Sequence, residues 1–451
     1  MANSFFFFSP GSTTDAQRKQ FTISMWVKRS TLLTESSNQE LVSTNATDQF
    51  GFRFQGDNKL DIFDYSVSGN NYPLRLVTNR LFRDTSAWYN IILQVDTPNA
   101  TSSNRVKLWV NGVQETSFGT ATYPSQDYVT TWNKNGLHQI GSKAWGNSGN
   151  GQNFFDGYIS HLSNVAGSVV APTVFGQTDS TSGIWKFKQP SGVTWGTNGF
   201  HLKFENSAAL GTDSSGNTNT FTVNGNLKQA LDTPSNVHAT WNPNLAMNGT
   251  MTLANGNTTG TTGSNYSANA SNSFFSTLGV SQGKWYVECK LSASTTSGGG
   301  YFGVSYDPNY AQQGTTASNN TNFVQFITSG FAYSTQGTIW NGSEGTMYTA
   351  VSVGDILAIA LDLDNNLIYY YLNGTLQNTG GTSITADKEY FFAISDGTSG
   401  NTFTWQANFG NGYFGTTAIT SAGSNGNGSL FEYDVPSGYY ALNTKNINTY
   451  G

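Results

Sequence analysis

The sequence predicts an all-β chain, two antiparallel β-sandwiches joined by a small β-rich bridge. Three observations lead there. First, one hairpin pattern occurs in each half. In the second half, Ile356 to Leu363 is an apolar, strand-forming run. Asp364-Asn365-Asn366 then tolerates the positive φ of a tight turn, and Leu367 to Leu372 ends on Asn373-Gly374. In the first half, Tyr89 to Val95, a polar loop, and Arg105 to Val110 end on Asn111-Gly112. Second, the two-residue strand period recurs, as in FTISMWVKR from Phe21 and GKWYVECKL from Gly283. Third, no amphipathic stretch of helical period lasts three turns.

Composition narrows the class. The chain has 451 residues, enough for about three domains on length alone. Charged residues make up 11% of it, against roughly 25% in ordinary soluble proteins. Ser, Thr, Asn and Gly must therefore supply the polar surface. The 30 Phe, 22 Tyr and 11 Trp exclude disorder. Polar, uncharged and aromatic-rich is the habit of extracellular sandwiches, lectins and viral fibres. A net charge of -6 with scattered Lys and Arg offers no stripe for nucleic acid, so no nucleic-acid partner is expected. The single cysteine, Cys289, cannot form an intrachain disulfide and alternates with Trp285, Val287 and Leu291, as a buried core thiol does. An extracellular chain without disulfides fits folding in a bacterial cytoplasm and later release. MANSFFFFSPG has no basic segment and only four consecutive Phe, so no secretory leader is expected. No run approaches the roughly 20 apolar residues of a membrane span, and membrane insertion is not expected.

Taken in order, FTISMWVKR is followed by QFGFRFQGDNKLDIFDYS, a hairpin turning at Gly56-Asp57-Asn58. SAWYNIILQVD, NRVKLWVNGVQE, LHQIGSK, the loop AWGNSGNGQN and the closing strand FFDGYISHLSNVAG come next. Trp26, Trp88, Asn111-Gly112, Ile140-Gly141 and Phe155-Asp156-Gly157-Tyr158-Ile159 stand as they do in laminin-G-like, concanavalin-type (jelly-roll) sandwiches, which residues 1–172 resemble. The opening FTISMWVKRS resembles the start of such domains in tailed-bacteriophage virion proteins. Residues 173–245 are read as a β-rich bridge, with the polar turn Asp213 to Asn217 between His201–Phe204 and Thr220–Val223. Its ending, LDTPSNVHATWNP, resembles a connector between sandwich domains of phage structural proteins. In residues 246–451, Gly283 to Glu288, Gly300 to Val304, the central hairpin, Tyr390 to Ile394 and Asn408-Phe409-Gly410 follow the order of the SPRY domain, a bent sandwich with binding loops at one end. The tail VPSGYYALNTKNI resembles the ending of phage proteins that carry this domain.

Catalysis finds little support. Retaining glycosidases need two carboxyl groups about 5–5.5 Å apart. The nearest pair in sequence, Asp362 and Asp364, is better explained by the hairpin, with Asp364 capping the turn and Asp362 facing its cross-strand neighbour or solvent. His138, His161, His201 and His238 are isolated from one another, no Cys/His spacing suggests zinc, and no GxSxG occurs. Asp362-x-Asp364-x-Asn366 starts like an EF-hand loop but lacks its Gly and Glu. No enzyme activity, cofactor or metal is expected; calcium is left open. Recognition remains. Sugars are held by aromatic faces flanked by amides and hydroxyls. Trp340 in GTIWNGSEG and Trp145 in AWGNSGNGQN lie in polar, Gly-rich stretches, with Trp132, Tyr123, Tyr310 and Tyr348 as weaker candidates. The alternative is that each Trp plugs the end of its own sandwich. Trp26, Trp285 and Trp405 are assigned to cores or sheet faces.

The resemblances imply a phage virion protein, made without a signal peptide in the host cytoplasm. It would bind a host cell-surface glycan or receptor as a fibre, spike or other appendage, alongside other virion proteins and as a homo-oligomer, with a trimer favoured. A capsid-decorating or tail-ring protein that docks through its sandwiches is the alternative, and a polysaccharide depolymerase comes third.

Overall fold

Both Asn-Gly turns form. Asn111 and Gly112 have φ of 49° and 77°, and Asn373 and Gly374 have 48° and 78°. Two successive left-handed residues give the turn whose twist matches that of the flanking strands. The central hairpin pairs Ile356–Asp362 with Leu367–Leu372. The computed structural model describes residues 4–33, 37–44, 48–145, 150–245, 251–263, 273–296, 298–308, 330–341, 344–397 and 400–451. The chain is all-β apart from short helices such as Asp15–Lys19 and Thr444–Tyr450. It divides into two units, Met1–Gln229 and Ala230–Gly451.

The first unit is a sandwich of two antiparallel sheets. Among the described residues, one sheet has eight strands in the order Phe118–Thr122, Asn71–Thr78, Leu60–Ser66, Gln49–Gln55, Asn38–Thr44, His138–Ile140, Phe5–Phe8, Thr222–Asn224. The other has six: Phe200–Leu202, Gly157–Ala166, Gln20–Arg29, Tyr89–Asp96, Val106–Val110, Val113–Glu115. Alternation assigns the faces. Phe50, Phe52 and Phe54 meet Ile23, Ile91, Leu93 and Leu108 in one core, while Gly51, Arg53 and Gln55 point the other way.

The second unit is also a sandwich. Its larger sheet runs Thr252–Ala254, Thr259–Thr261, Phe403–Asn408, Lys284–Ser294, Ile356–Asp362, Leu367–Leu372, Thr375–Leu376. Its smaller sheet runs Ser273–Val280, Tyr390–Asp396, Gly300–Ser305, Gly330–Ser334, Thr338–Trp340, Glu344–Met347. Cys289, Trp285, Val287 and Leu291 are buried between them, as their alternation requires, and Trp405 lies in the same core. The outer face of the larger sheet is covered by the chain's own tail. Phe431, Val435, Tyr439 and Ala441 pack on Tyr286, Ala358 and Ala360. Glu288 fixes this tail, accepting from the backbone N–H of Glu432 (2.8 Å) and Tyr433 (2.9 Å), from Asn408 Nδ2 (3.3 Å) and from the Tyr286 hydroxyl (3.3 Å).

The stretch 173–245, read from sequence as a small β-rich bridge packed on its neighbours, contributes strands to the first unit and core residues to the second. Phe200–Leu202 and Thr222–Asn224 are edge strands of the two sheets of the first unit. Ala239 and Trp241 are buried in the core of the second. Short strands with one apolar face complete a neighbour's sheet more readily than they build a core alone.

Candidate functional site

The sequence-predicted aromatic residues do not converge. Trp132 is a correction. It is wholly buried, with its ring 5.2 Å from Phe50 and its Nε1 donating to Asn164 Oδ1 at 3.0 Å, so it belongs to the first core and not to a binding surface. Tyr123 is half-buried against the same core. Trp145 ends the strand Lys143–Trp145, paired with Asn150, and its side chain lies outside the described residues, as does Tyr310 altogether. In the second unit, Trp340 ends the strand Thr338–Trp340 and packs against a small cluster of Phe275, Tyr301, Ala332 and Ala393, edge-on to Tyr301. It sits half-buried on a sheet face, at the end of its strand. Tyr348 is half-buried beside Tyr333, with ring centroids 6.4 Å apart.

Asp362 and Asp364 have hairpin roles: Asp362 faces its cross-strand neighbour Lys284, as expected, and also takes the turn-holding role that the sequence suggests for Asp364. Asp362 holds the turn, accepting from the backbone N–H of Asn365 at 3.0 Å and from its Nδ2 at 2.8 Å, and pairs across the strands with Lys284 at 2.8 Å. Asp364 accepts from the Gly283 N–H at 2.9 Å. Among the described residues, no group of three or more His, Cys, Asp or Glu side chains converges on a possible metal position.

A different constellation emerges on the outer face of the eight-stranded sheet. Strand register places Glu40, Arg53, Asp61 and Val77 in one row, and Ser43, Gly51, Phe63 and Arg75 in the next. Gly51 is required there, because a Cβ at that position would lie 2.3 Å from the Phe63 ring, which rests on the backbone. Tyr72 stands edge-on to Phe63 at 5.7 Å and 4.9 Å from Tyr65. The Arg53 guanidinium lies 4.6 Å over the Phe63 ring, and that of Arg75 lies 4.7 Å over Tyr72. Cations over aromatic faces are attracted by the ring quadrupole.

Asp61 ties these groups together. Its carboxylate, fully buried, accepts from Arg53 Nε and Nη2 (3.1 and 2.9 Å), Gln55 Nε2 (2.8 Å) and Arg75 Nε and Nη2 (3.1 and 3.2 Å). Burial works against the charge on Arg75, but Asp61 outweighs it and holds the guanidinium above its ordinary value. Arg53 Nη1 also pairs with Glu40 Oε1 at 3.5 Å. Glu40 is buried, and that burial, only partly offset by Arg53, pushes its carboxyl up to about 7. Toward the sheet edge the face opens: Arg75 is 27% exposed and Tyr72 36%. Thr120 and Thr122 beside them are exposed too. The result is a rigid platform of aromatic rings, a guanidinium and hydroxyl groups. Sequence reasoning missed it by searching loops. The signal was present in QFGFRFQ and LDIFDYS, where one alternate set opens apolar (Phe50, Phe52, Phe54; Leu60, Ile62) and the other mixes Arg, Asp, Phe and Tyr.

With the geometry in place, comparison with known proteins adds the following. Residues 8–165 match the family described as the concanavalin A-like lectin/glucanases superfamily. The comparison with curated proteins gave no match. Among solved structures, the chain is similar to the SPRY domain of human HERC1 at 17% identity, covering 37% of this chain and 96% of that one, with a TM-score of 0.29. It is similar to stonustoxin at 17% identity, covering 38% and 27%, with a TM-score of 0.29. It is similar to the TRIM65 PSpry domain at 15% identity, covering 37% and 91%, with a TM-score of 0.27.

Proposed function

We propose that the chain is a virion protein of a tailed bacteriophage and that its first sandwich attaches to a glycan on the host surface. The observation that carries the attachment is the platform of Tyr65, Tyr72 and Arg75, backed by the buried Phe63 and held in place by Asp61. Aromatic faces and edges meet the apolar C–H patches of a sugar ring, and guanidinium and phenol groups hydrogen-bond its hydroxyls. The groups are pre-ordered by packing and ion pairs, so little freedom is lost on binding. The phage assignment rests on the resemblance of FTISMWVKRS and of the C-terminal VPSGYYALNTKNI to segments of phage proteins. Binding without cleavage is proposed. Glu40 and Asp61 are neighbours on this face, but Glu40 is out of reach of a sugar and Asp61 is occupied by two arginines and Gln55.

The test is sedimentation of the purified chain with host cells and with host polysaccharide. Saturable binding, competed by the polysaccharide and with no release of reducing sugar, supports the proposal. Binding to phage particles but not to cells would favour a capsid-decorating or tail-ring role.

A further inference from the structure

The strand Leu367–Leu372 carries three consecutive tyrosines, and alternation splits them. Ile368, Tyr370 and Leu372 enter the core of the second unit. Tyr369 and Tyr371 point the other way, half-buried on the outer face of its larger sheet, beside Ala360 and Ala358 of the next strand. The tail covers those two alanines and Tyr286, and Tyr369 and Tyr371 lie at the margin of that cover. There the tail brings two more rings, Tyr433 and Tyr439.

The four rings are held in place. Tyr433 lies against the Asn373-Gly374 turn, where a Cβ on Gly374 would come within 2.6 Å of its ring. Tyr369 lies against Gly381, where a Cβ would come within 2.9 Å. The Tyr433 backbone N–H donates to Glu288 at 2.9 Å, and the Lys284 ammonium stands 5.8 Å over the Tyr439 ring. The phenol groups of Tyr369, Tyr371 and Tyr439 are near enough to act on one another electrostatically, and those of Tyr371 and Tyr433 both act on Tyr286. Among the described residues, the hydroxyls of Tyr369, Tyr371 and Tyr433 make no hydrogen bond to protein.

The charges at the margin are engaged within the chain. Lys284 pairs with Asp362 at 2.8 Å, Asp355 accepts from Asn373 Nδ2 at 2.8 Å, and Glu432 accepts from the Thr420 N–H at 2.7 Å. A strip whose charges are already paired suits an uncharged ligand. Among its described residues no large aliphatic side chain is exposed, so it lacks the apolar centre around which a protein interface forms.

We propose that Tyr369, Tyr371, Tyr433 and Tyr439 form a second carbohydrate site, on the second unit, for an uncharged segment of the same host surface polysaccharide. Phenol rings meet the C–H patches of a sugar, and free phenol hydroxyls donate to and accept from its hydroxyls. The choice of polysaccharide rests on the glycan-attachment reading of the first sandwich, but the two sites stand on separate residues and fail separately.

The test is calorimetric titration of the full chain with a single-repeat oligosaccharide prepared from host surface polysaccharide. The native chain should take up two per chain. Tyr433→Ala should weaken one of the two about tenfold or more, by analogy with aromatic stacking on nucleobases. Tyr371→Phe keeps the ring and its packing, and should weaken that same site about threefold to tenfold through the lost hydroxyl. Tyr72→Ala should weaken the other site and leave this one. Uptake of one per chain, lost in Tyr72→Ala and untouched by the Tyr371 and Tyr433 variants, would overturn this site and leave the first-sandwich platform standing. Uptake of one, lost in Tyr433→Ala and kept in Tyr72→Ala, would do the reverse. Two sites that both ignore Tyr433→Ala and Tyr371→Phe would overturn the assignment to this strip, and no uptake at all would overturn both sites.

Discussion

Each sandwich buries a carboxyl group on the outer face of its larger sheet, and the two are treated differently. Glu288 and Glu40 are both inaccessible, and burial raises both to about 7. Glu288 receives four hydrogen bonds, two of them from the backbone of the tail that covers its face. Glu40 has Arg53 at 3.5 Å and no closer hydrogen bond to either oxygen. The hydrogen bonding goes instead to Asp61, two positions along the same row, which gathers Arg53, Gln55 and Arg75. A carboxylate that binds the chain's own backbone closes a face. One that orders side chains leaves the face uncovered by the chain's own tail, and this contrast separates the covered face from the platform proposed to bind.

The most damaging substitution should be Asp61→Ala. It strips Arg75 and Arg53 of their shared carboxylate and leaves Glu40, beside Arg53, as an acidic neighbour; breaking such a buried pair costs about 3–5 kcal/mol. Calorimetry should show the loss in the transition of the first sandwich. Glu288→Ala comes next, at about 2–4 kcal/mol in the second sandwich, from stranded donors and a small cavity. It should also expose Phe431 and Tyr439 to proteolysis of the tail. If Glu288→Ala is silent while Asp61→Ala is not, the tail is held by its apolar contacts alone.

A pH series sharpens the contrast. The Glu40 carboxyl is raised in the folded state from its ordinary 4.5 to about 7. Its contribution to stability is therefore fully present below the unfolded value and is lost as pH rises through the folded one. Glu40→Gln removes this loss. Relative to the native chain, the variant should gain roughly 1–3 kcal/mol in the first sandwich between about pH 5 and pH 8, since a tenfold change in an ionisation constant on folding is worth about 1.4 kcal/mol. A difference that stays flat with pH would mean that Glu40 is ionised throughout by its pairing with Arg53.

How much of this was legible in the sequence depends on range. The Asn111-Gly112 and Asn373-Gly374 turns were, because positive φ is a demand of two adjacent residues. So was the burial of Cys289, which follows from alternation over nine residues. Trp132 was not: its loop reads as polar, and its place in the core is set by Phe50 and Asn164, far away in the chain. The platform was half legible. Alternation separates Gly51, Arg53 and Gln55 from Phe50, Phe52 and Phe54, but only the pairing of Asp61 with Arg53 and of Phe63 with Gly51 assembles a surface. The β-rich character of 173–245 could be read in the sequence, but nothing local states whose sheet its strands complete.

The smallest effect on stability and the most direct test of the account belong to Tyr72, which is among the most exposed rings of the platform. Affinity of the purified chain for host surface polysaccharide should be measured for the native protein and for Tyr72→Ala, with unfolding temperature recorded on the same samples. The account predicts a loss of about 1–3 kcal/mol in binding, by analogy with aromatic stacking on nucleobases, and an unfolding temperature nearly unchanged. Undiminished affinity in Tyr72→Ala, with the chain folded, would contradict the assignment of the binding surface to this face.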